Sequence, residues 1–459
     1  MKRPTAKAGG IVAALVALGA IAVAFVWTPE IAPIDPSRQA RLDPGLVRKG
    51  ANLAALGDCD TCHTAPDGQA FAGGLPMPTP FGTIYSTNIT PDPETGIGRW
   101  SEEAFRRAMR TGIDREGRYL YPAFPYDHFT LVSDADDDAL YAFLMTRKPA
   151  HAPAPANGLP FPLNQRPVLV GWNLLFLRRG PFKPDPAHDD LWNRGAYLVE
   201  GIGHCGACHT PRNMFGAEKR NEAFAGGEAD GWRAFPINAS SPAPVPWDAD
   251  ALYAYLRRGW HGLHGVAGGP MAPVADNLAS VPAPDLKAIA VYVASLMGEP
   301  AQERREQGER LAAAAKPFGA GGKPQSAGSQ AAPPEAADGA GAAIYRGACA
   351  SCHESGRPVP YGGINLALST LINGENPRNL LNILLAGLPA ADGVRAPIMP
   401  GFGTILTDAQ IAALTFYLRS RFSAKPAWSD IPAQLREARD GRVGANLSSD
   451  ARQISATSH

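Results

Sequence analysis

Residues 57–64 read Gly57-Asp58-Cys59-Asp60-Thr61-Cys62-His63-Thr64. Two cysteines stand three positions apart, and a histidine follows the second directly. The pattern returns as Cys205-Gly206-Ala207-Cys208-His209 and as Cys349-Ala350-Ser351-Cys352-His353. These segments contain all six cysteines of the 459-residue chain, so none is left for a separate disulfide. C-x-x-C-H is the attachment motif for c-type haem. Its two thiols share one helical turn and reach the two vinyl groups on one porphyrin edge. The adjacent imidazole then points under the ring as the proximal iron ligand. Cys59, Cys62, Cys205, Cys208, Cys349 and Cys352 are therefore expected to tether three covalent haem c groups, with His63, His209 and His353 on the irons. Thioredoxin-like pairs do not need the histidine. Zinc knuckles combine in pairs to give four ligands, which an odd number of knuckles does badly.

Each motif ends a helical run: VRKGANLAALGDC, WNRGAYLVEGIGHC and GAAIYRGAC. A second helix lies downstream, from Trp100 to Gly112 and, with identical spacing, from Trp247 to Gly259. Ser101 and Asp248 are N-caps by residue type, and Gly112 and Gly259 suit a left-handed stop. In the third copy the helix runs from Asn376-Pro377 to Gly387, with proline expected at the first helical position. A closing helix follows in each copy: DDALYAFLMTR, PDLKAIAVYVASLM and TDAQIAALTFYLRSRF, the last opened by a Thr407–Gln410 capping box. Apolar residues recur there at helical spacing, as a core-facing stripe requires. The order helix, motif, loop, helix, loop, helix resembles the small all-α fold of class I cytochromes c, three times over.

The N-terminus carries Lys2, Arg3 and Lys7 before a charge-free run from Ala8 to Trp27. A helix of that length is ~30 Å long, enough to cross a bilayer core. The basic flank would stay cytoplasmic and place the remaining chain in the periplasm. The alternative is a cleaved signal peptide, whose apolar core is normally shorter. The expected fold class is all-α: three tandem class I cytochrome c-like domains after an N-terminal transmembrane helix. The boundaries are 1–39 for the anchor, 40–150 for domain 1, 151–185 for a connector and 186–300 for domain 2. A linker at 301–337 follows, helical at its start and then rich in Gly, Ala, Ser and Pro. Domain 3 spans 338–425, and a polar tail 426–459. The 43 basic and 43 acidic residues balance, which gives no reason to expect nucleic acid.

Haem c usually takes a sixth ligand from the loop before the closing helix, often methionine, which raises the potential. Met271 lies twelve residues after Gly259, and Met399 twelve after Gly387. Both stand beside prolines, in GGPMAPV and PIMPGFG, and both are expected iron ligands. The same offset from Gly112 reaches Phe124, in LYPAFPYDHFT, and phenylalanine cannot ligate. Three readings stay open for the first iron: His128 as ligand, a methionine from elsewhere (Met77, Met109 or Met145), or an open position. Met109 and Met145 stand at helical core spacing, which suits packing. Each proximal histidine should also donate its second ring N–H to a carbonyl; Pro66 and Pro211 resemble the proline that accepts it in many cytochromes c.

FGTIYSTNITPDPETGIGRW and RRGWHGLHGVAGGPMAPV are similar to the membrane-anchored triple-haem subunits of bacterial periplasmic dehydrogenases. Sister groups serve quinoprotein alcohol dehydrogenases and flavin-dependent gluconate and sugar dehydrogenases. There the first loop reads like PAMPY, with methionine where Phe124 stands. The PAFPYDHFT loop, WHGLHGVAGGPMAPV and RPVPYGGINLALST resemble most a group that accompanies molybdenum hydroxylases oxidising nicotinate, isoquinoline or aldehydes. The resemblance implies an electron-transfer subunit of an oxidoreductase complex, not itself an enzyme. It would sit at the bacterial inner membrane with its haem domains in the periplasm. It would take electrons from a catalytic dehydrogenase subunit, molybdopterin-containing with an iron-sulfur subunit, and pass them to ubiquinone or a terminal oxidase. No Ser-His-Asp signature, phosphate-cradling loop or dinucleotide fingerprint is present. The rival is a haem enzyme, peroxidase-like or oxidising a sulfur compound, at the unusual first haem.

Overall fold

The computed structural model describes residues 27–36, 42–314, 339–357, 361–388 and 398–446. They cluster into two compact bodies. One holds the first repeat and the connector through Lys183; the other holds the second and third repeats from Pro184 on, together with Ala55–Asp58.

In repeat 1 a leading helix, Pro44–Leu56, precedes the motif helix Cys59–His63. The middle helix, Glu102–Thr111, and the closing helix, Asp134–Met145, follow. Repeat 2 has leading helix Asp190–Tyr197, motif helix Gly206–His209, middle helix Ala249–Arg258 and closing helix Ala283–Met297. Repeat 3 has Ala340–Ile344, Ala350–His353, Arg378–Ala386 and Asp408–Phe422 in the same order.

One crossing recurs in all three repeats. A glycine of the leading helix lies directly on the closing helix, one turn from an aromatic residue. A Cβ added at Gly50 would collide with the Ala139 carbonyl and stand 2.7 Å from Phe143 Cβ. Gly195 meets the Ala288 carbonyl and Tyr292 Cβ at 2.7 Å, and Gly341 meets the Ala413 carbonyl and Tyr417 Cβ at 2.9 Å. Only glycine lets the two backbones approach so closely. Its distance to the first motif cysteine differs among the repeats, being nine, ten and eight residues. Repeats 2 and 3 carry a π-helical stretch in this interval, at Leu198–Ile202 and Tyr345–Cys349.

The helix signals in the sequence are realised. The Ser101 hydroxyl accepts from Ala104 N, and the Asp248 carboxylate accepts from Ala251 N. Gly112 and Gly259 end their helices in the left-handed conformation, and the Thr407–Gln410 capping box is formed. Pro377 stands at the N-cap of its helix, not at the first helical position.

The expected fold class is corrected in two respects. The chain is not purely helical: four two-stranded antiparallel pairs are present among the described residues. They are β1 Pro76–Thr79 with β2 Gly82–Tyr85, and β3 Gly227–Ala229 with β4 Trp232–Ala234. The others are β5 Trp260–His261 with β6 Gly265–Val266, and β7 Gly387–Leu388 with β8 Met399–Pro400. Strands of two to four residues are too short to show a period-2 pattern. Second, the N-terminal transmembrane helix is not supported. No helix among the described residues is long and apolar enough to cross a membrane. The expected span falls almost wholly on residues 1–26, outside the described ones. The expected inner-membrane anchor therefore has no support among the described residues.

The linker begins as the helix Gln302–Ala314, and the tether expected after it lies outside the described residues. The polar tail contains the helix Ile431–Asn446, which packs Ile431, Leu435 and Ala438 into the core of repeat 3 beside Trp428.

Candidate haem sites

Each motif places its cysteines alike. The first of each pair is the more sheltered: Cys59 and Cys205 are half-buried and Cys349 is buried, while Cys62, Cys208 and Cys352 are exposed. Burial pushes the Cys205 thiol up to about 12 and the Cys349 thiol up to about 11.

The histidines share one geometry. His63 Nδ1 lies 2.6 Å from the Thr87 carbonyl, His209 Nδ1 2.7 Å from that of Phe235, and His353 Nδ1 2.9 Å from that of Ile364. A carbonyl can only accept, so each Nδ1 carries the proton and each Nε2 keeps its lone pair for a metal. Burial lowers the affinity of all three imidazoles for a second proton, partly offset by these carbonyls. Neutral imidazole is the ligating form. The expectation of a carbonyl partner holds, but Pro66 and Pro211 do not supply it.

Hairpins deliver the carbonyls in repeats 1 and 2. Thr87 lies two residues past β2, and Phe235 directly follows β4. Each hairpin is also held at its start: Gly73 N–H donates to the His63 carbonyl (2.7 Å), and Gly226 N–H to the His209 carbonyl (2.8 Å). Repeat 3 uses a shorter route, in which Gly363 N–H donates to the Cys352 carbonyl at 3.0 Å. A Cβ on Gly363 would stand 2.6 Å from His353 Nδ1, so the loop closes on the imidazole only because that residue is glycine. Backbone acceptors carry no residue-type signature, and sequence reading could not locate them.

On the other side, Met271 is the first residue of the helix Met271–Leu278 and is half-buried. It follows Gly269, whose backbone lies so close to the Trp232 indole that an added Cβ would stand 2.8 Å from Trp232 Cγ. Met399 pairs with Leu388 across β7–β8 and packs against the core of repeat 3. In repeat 1, Phe124 lies among rings, 5.3 Å from Phe129 and 6.4 Å from Tyr126. His128 is half-buried on the short helix Tyr126–Phe129. Met109 and Met145 are buried in the middle and closing helices, as packing residues are, and Met77 is half-buried on β1 opposite Ile84.

Repeat 2 adds a group that the motifs did not single out. His264 is 8% exposed, stacks on Trp247 at 3.6 Å, and its Nδ1 has no hydrogen-bond partner among the described residues. Burial lowers it to about 3.

Vicinal-thiol helices, imidazoles with Nε2 left for a metal and a glycine cradle under one ring fit haem c, and together they define a c-type cytochrome. Residues 336–418 match the family described as cytochrome c oxidase, cbb3-type, subunit III. The chain is 38% identical to the fructose dehydrogenase cytochrome subunit of Gluconobacter japonicus, covering 85% of this chain and 82% of that one. It is 36% identical to the cytochrome c subunit of the quinone alcohol dehydrogenase of Gluconacetobacter polyoxogenes, covering 89% and 86%. The chain belongs to the cytochrome c subunits of dehydrogenase complexes. It is also 47% identical to a nicotinate dehydrogenase subunit of Pseudomonas putida, over 92% of this chain. It spans about a third of that longer protein's length (34%).

Proposed function

We propose that the chain is a triple-haem electron-transfer subunit on the periplasmic side of a bacterial membrane. It receives electrons from a partner dehydrogenase, a molybdenum hydroxylase with an iron-sulfur subunit, and passes them to ubiquinone or a terminal oxidase. The observation that carries this reading is the threefold recurrence of a C-x-x-C-H helix whose imidazole is aimed by a backbone carbonyl. The higher identity to the nicotinate dehydrogenase subunit than to the fructose and alcohol dehydrogenase subunits supports the partner class.

Haem c, when bound, supplies a one-electron ferric/ferrous couple. The six motif cysteines hold its edge covalently, and His63, His209 and His353 present Nε2 on one face. Met271 and Met399 supply thioethers to the second and third sites, and His128 an imidazole to the first. The Thr87, Phe235 and Ile364 carbonyls fix the orientation and basicity of each proximal ring.

Chain matured with a haem-attachment system should contain three haems by alkaline pyridine spectroscopy and denaturing-gel haem stain. Complex isolated from the native host should bring a molybdenum-containing subunit with it. Fewer than three haems would refute the triple-haem reading; a flavin or quinone partner would refute the partner class. Carbon monoxide binding by the reduced first haem of the unmodified protein would favour a haem enzyme.

A further inference from the structure

The hairpin that supports His209 is not secured by its own repeat alone. A two-stranded hairpin leaves a row of backbone N–H and carbonyl groups unpaired on its outer edge. On β4 that edge is taken by an asparagine of repeat 3. Arg233 N–H donates to Asn379 Oδ1 at 2.8 Å, and Asn379 Nδ2 donates back to the Arg233 carbonyl at 2.8 Å. One turn on, Asn382 Nδ2 donates to the Gly231 carbonyl at 3.1 Å. Both asparagines are 6% exposed, so these amides are sealed from water and their partners are not exchangeable for it. Two residues beyond Arg233 stands Phe235, whose carbonyl accepts from His209. One residue before it stands Trp232, against the backbone of Gly269 and hence beside the Met271 loop.

Repeat 1 solves the same problem within its own body. Tyr85 N–H donates to Asn157 Oδ1 at 2.9 Å, and Gly158 N–H donates to the Thr83 carbonyl at 2.8 Å. The connector thus lies along β2 as repeat 3 lies along β4. In both places an asparagine amide caps a strand whose continuation carries the histidine's acceptor. The two caps come from unrelated parts of the sequence.

We propose that Asn379 is a positioning residue for the second haem, so that repeat 3 sets the potential of its neighbour without touching its iron. The proposal rests on the triple-haem reading above. Asn379 holds β4 in the register that keeps the Phe235 carbonyl on His209 Nδ1. A shorter, better-aligned bond there makes the imidazole more basic and stabilises the ferric form. Loosening the strand weakens the bond and raises the potential.

The test uses the full chain with its haems attached. Asn379→Leu removes both amide bonds at similar volume; Asn379→Ala removes them without adding bulk or charge. The second haem's wave in a redox titration is identified as the one missing when Cys205 and Cys208 are replaced by alanine. An upward shift of that wave in both variants, with the other two waves unmoved, is the expected result. Asn157→Leu should move instead the wave lost on replacing Cys59 and Cys62. Three bound haems with the second wave unmoved in the Asn379 variants would overturn the proposal. If the leucine variant does not mature, the alanine variant decides alone. A wild-type chain with fewer than three haems would refute the underlying reading instead.

Discussion

Repeats 1 and 2 are built alike through the turn that follows the middle helix and then part. Both carry the hairpin and the carbonyl behind the histidine. Both cap the middle helix with an oxygen and stop it on a left-handed glycine. Past that glycine both fold back through a short antiparallel pairing, Ile113 with Tyr119 in repeat 1 and β5 with β6 in repeat 2; repeat 2 then delivers Met271 at the head of a helix. Repeat 1 fills the same stretch with rings. Tyr126 is wholly buried, its hydroxyl donates to Asn173 Oδ1 at 2.7 Å, its ring meets Phe124 and Trp172, and Phe124 in turn meets Phe129. A common frame therefore holds the proximal side constant while the distal loop is free to differ. In an electron-transfer chain this separates two tasks, attaching each haem and choosing its potential.

The sharpest break in the comparison is Met271→Ala. If Met271 is a ligand, the second haem loses its thioether and its potential falls by on the order of 0.2 V, within the ~0.8 V that axial ligands span. That is roughly 5 kcal/mol of differential stabilisation of the reduced form. Redox titration, with loss of the thioether-to-iron absorption of one haem, reads it. An unchanged titration would return Met271 to the core.

Next comes the pair of stop glycines, which look equivalent in sequence and are not equivalent in space. At Gly259 an added Cβ would have only Ala275 Cβ nearby, at 3.7 Å. Gly259→Ala should cost about 1–2 kcal/mol, the ordinary penalty for a left-handed residue with a side chain. At Gly112 the same atom would stand 2.6 Å from the Tyr126 ring, which has no room to retreat. Gly112→Ala should cost about 3 kcal/mol or more, since strain and overpacking add. Denaturant unfolding of the two variants should separate them clearly; equal losses would mean that the Tyr126 cluster is softer than its burial implies.

Much of this frame was readable from residue types. The motif cysteines and histidines, the caps at Ser101, Asp248 and Thr407, and the stops at Gly112 and Gly259 are chemical signatures that act locally. What escaped acts at a distance and through the backbone. The Thr87, Phe235 and Ile364 carbonyls belong to residues with no polar side chain in common. The Gly50, Gly195 and Gly341 crossings are set by a partner helix some ninety residues on in repeats 1 and 2. Asn379 is an ordinary polar residue in its own helix, and only the docked β4 edge shows its purpose. Pro66 and Pro211 looked right by proximity, but a hairpin carries the acceptor past them.

The distal ligand of repeat 1 is sharpened by a second pair. With His128 as ligand, His128→Ala should let carbon monoxide bind the reduced first haem while the other two resist. Phe124→Met should move the first potential upward, by about 0.1 V, toward the range that thioether ligation gives. A His128→Ala protein whose first haem is spectroscopically unchanged removes that residue from the iron.

The smallest effect concerns the frame itself. In repeat 1 the closing helix buries Asp137, 1% exposed, whose Oδ2 accepts from Arg110 Nε at 2.8 Å while its Oδ1 has no partner among the described residues. At the matching position of repeat 2, two residues before the alanine that meets the leading-helix glycine, stands Leu286, also buried. Burial pushes Asp137 up from 3.8 to about 7, outweighing the Arg110 guanidinium. Because the folded value lies above the unfolded one, the folded chain holds this proton more tightly. Stability is greatest below the unfolded value, declines as pH rises to about 7, and is level with respect to this group above it. The slope from one proton is at most ~1.4 kcal/mol per pH unit. Asn at this position keeps an oxygen for Arg110 Nε and has no charge to desolvate. Asp137→Asn should therefore flatten the pH profile of denaturant unfolding for the first body and gain relative to wild type as pH rises. Parallel profiles for the two proteins would show that Arg110 holds the carboxylate ionised after all.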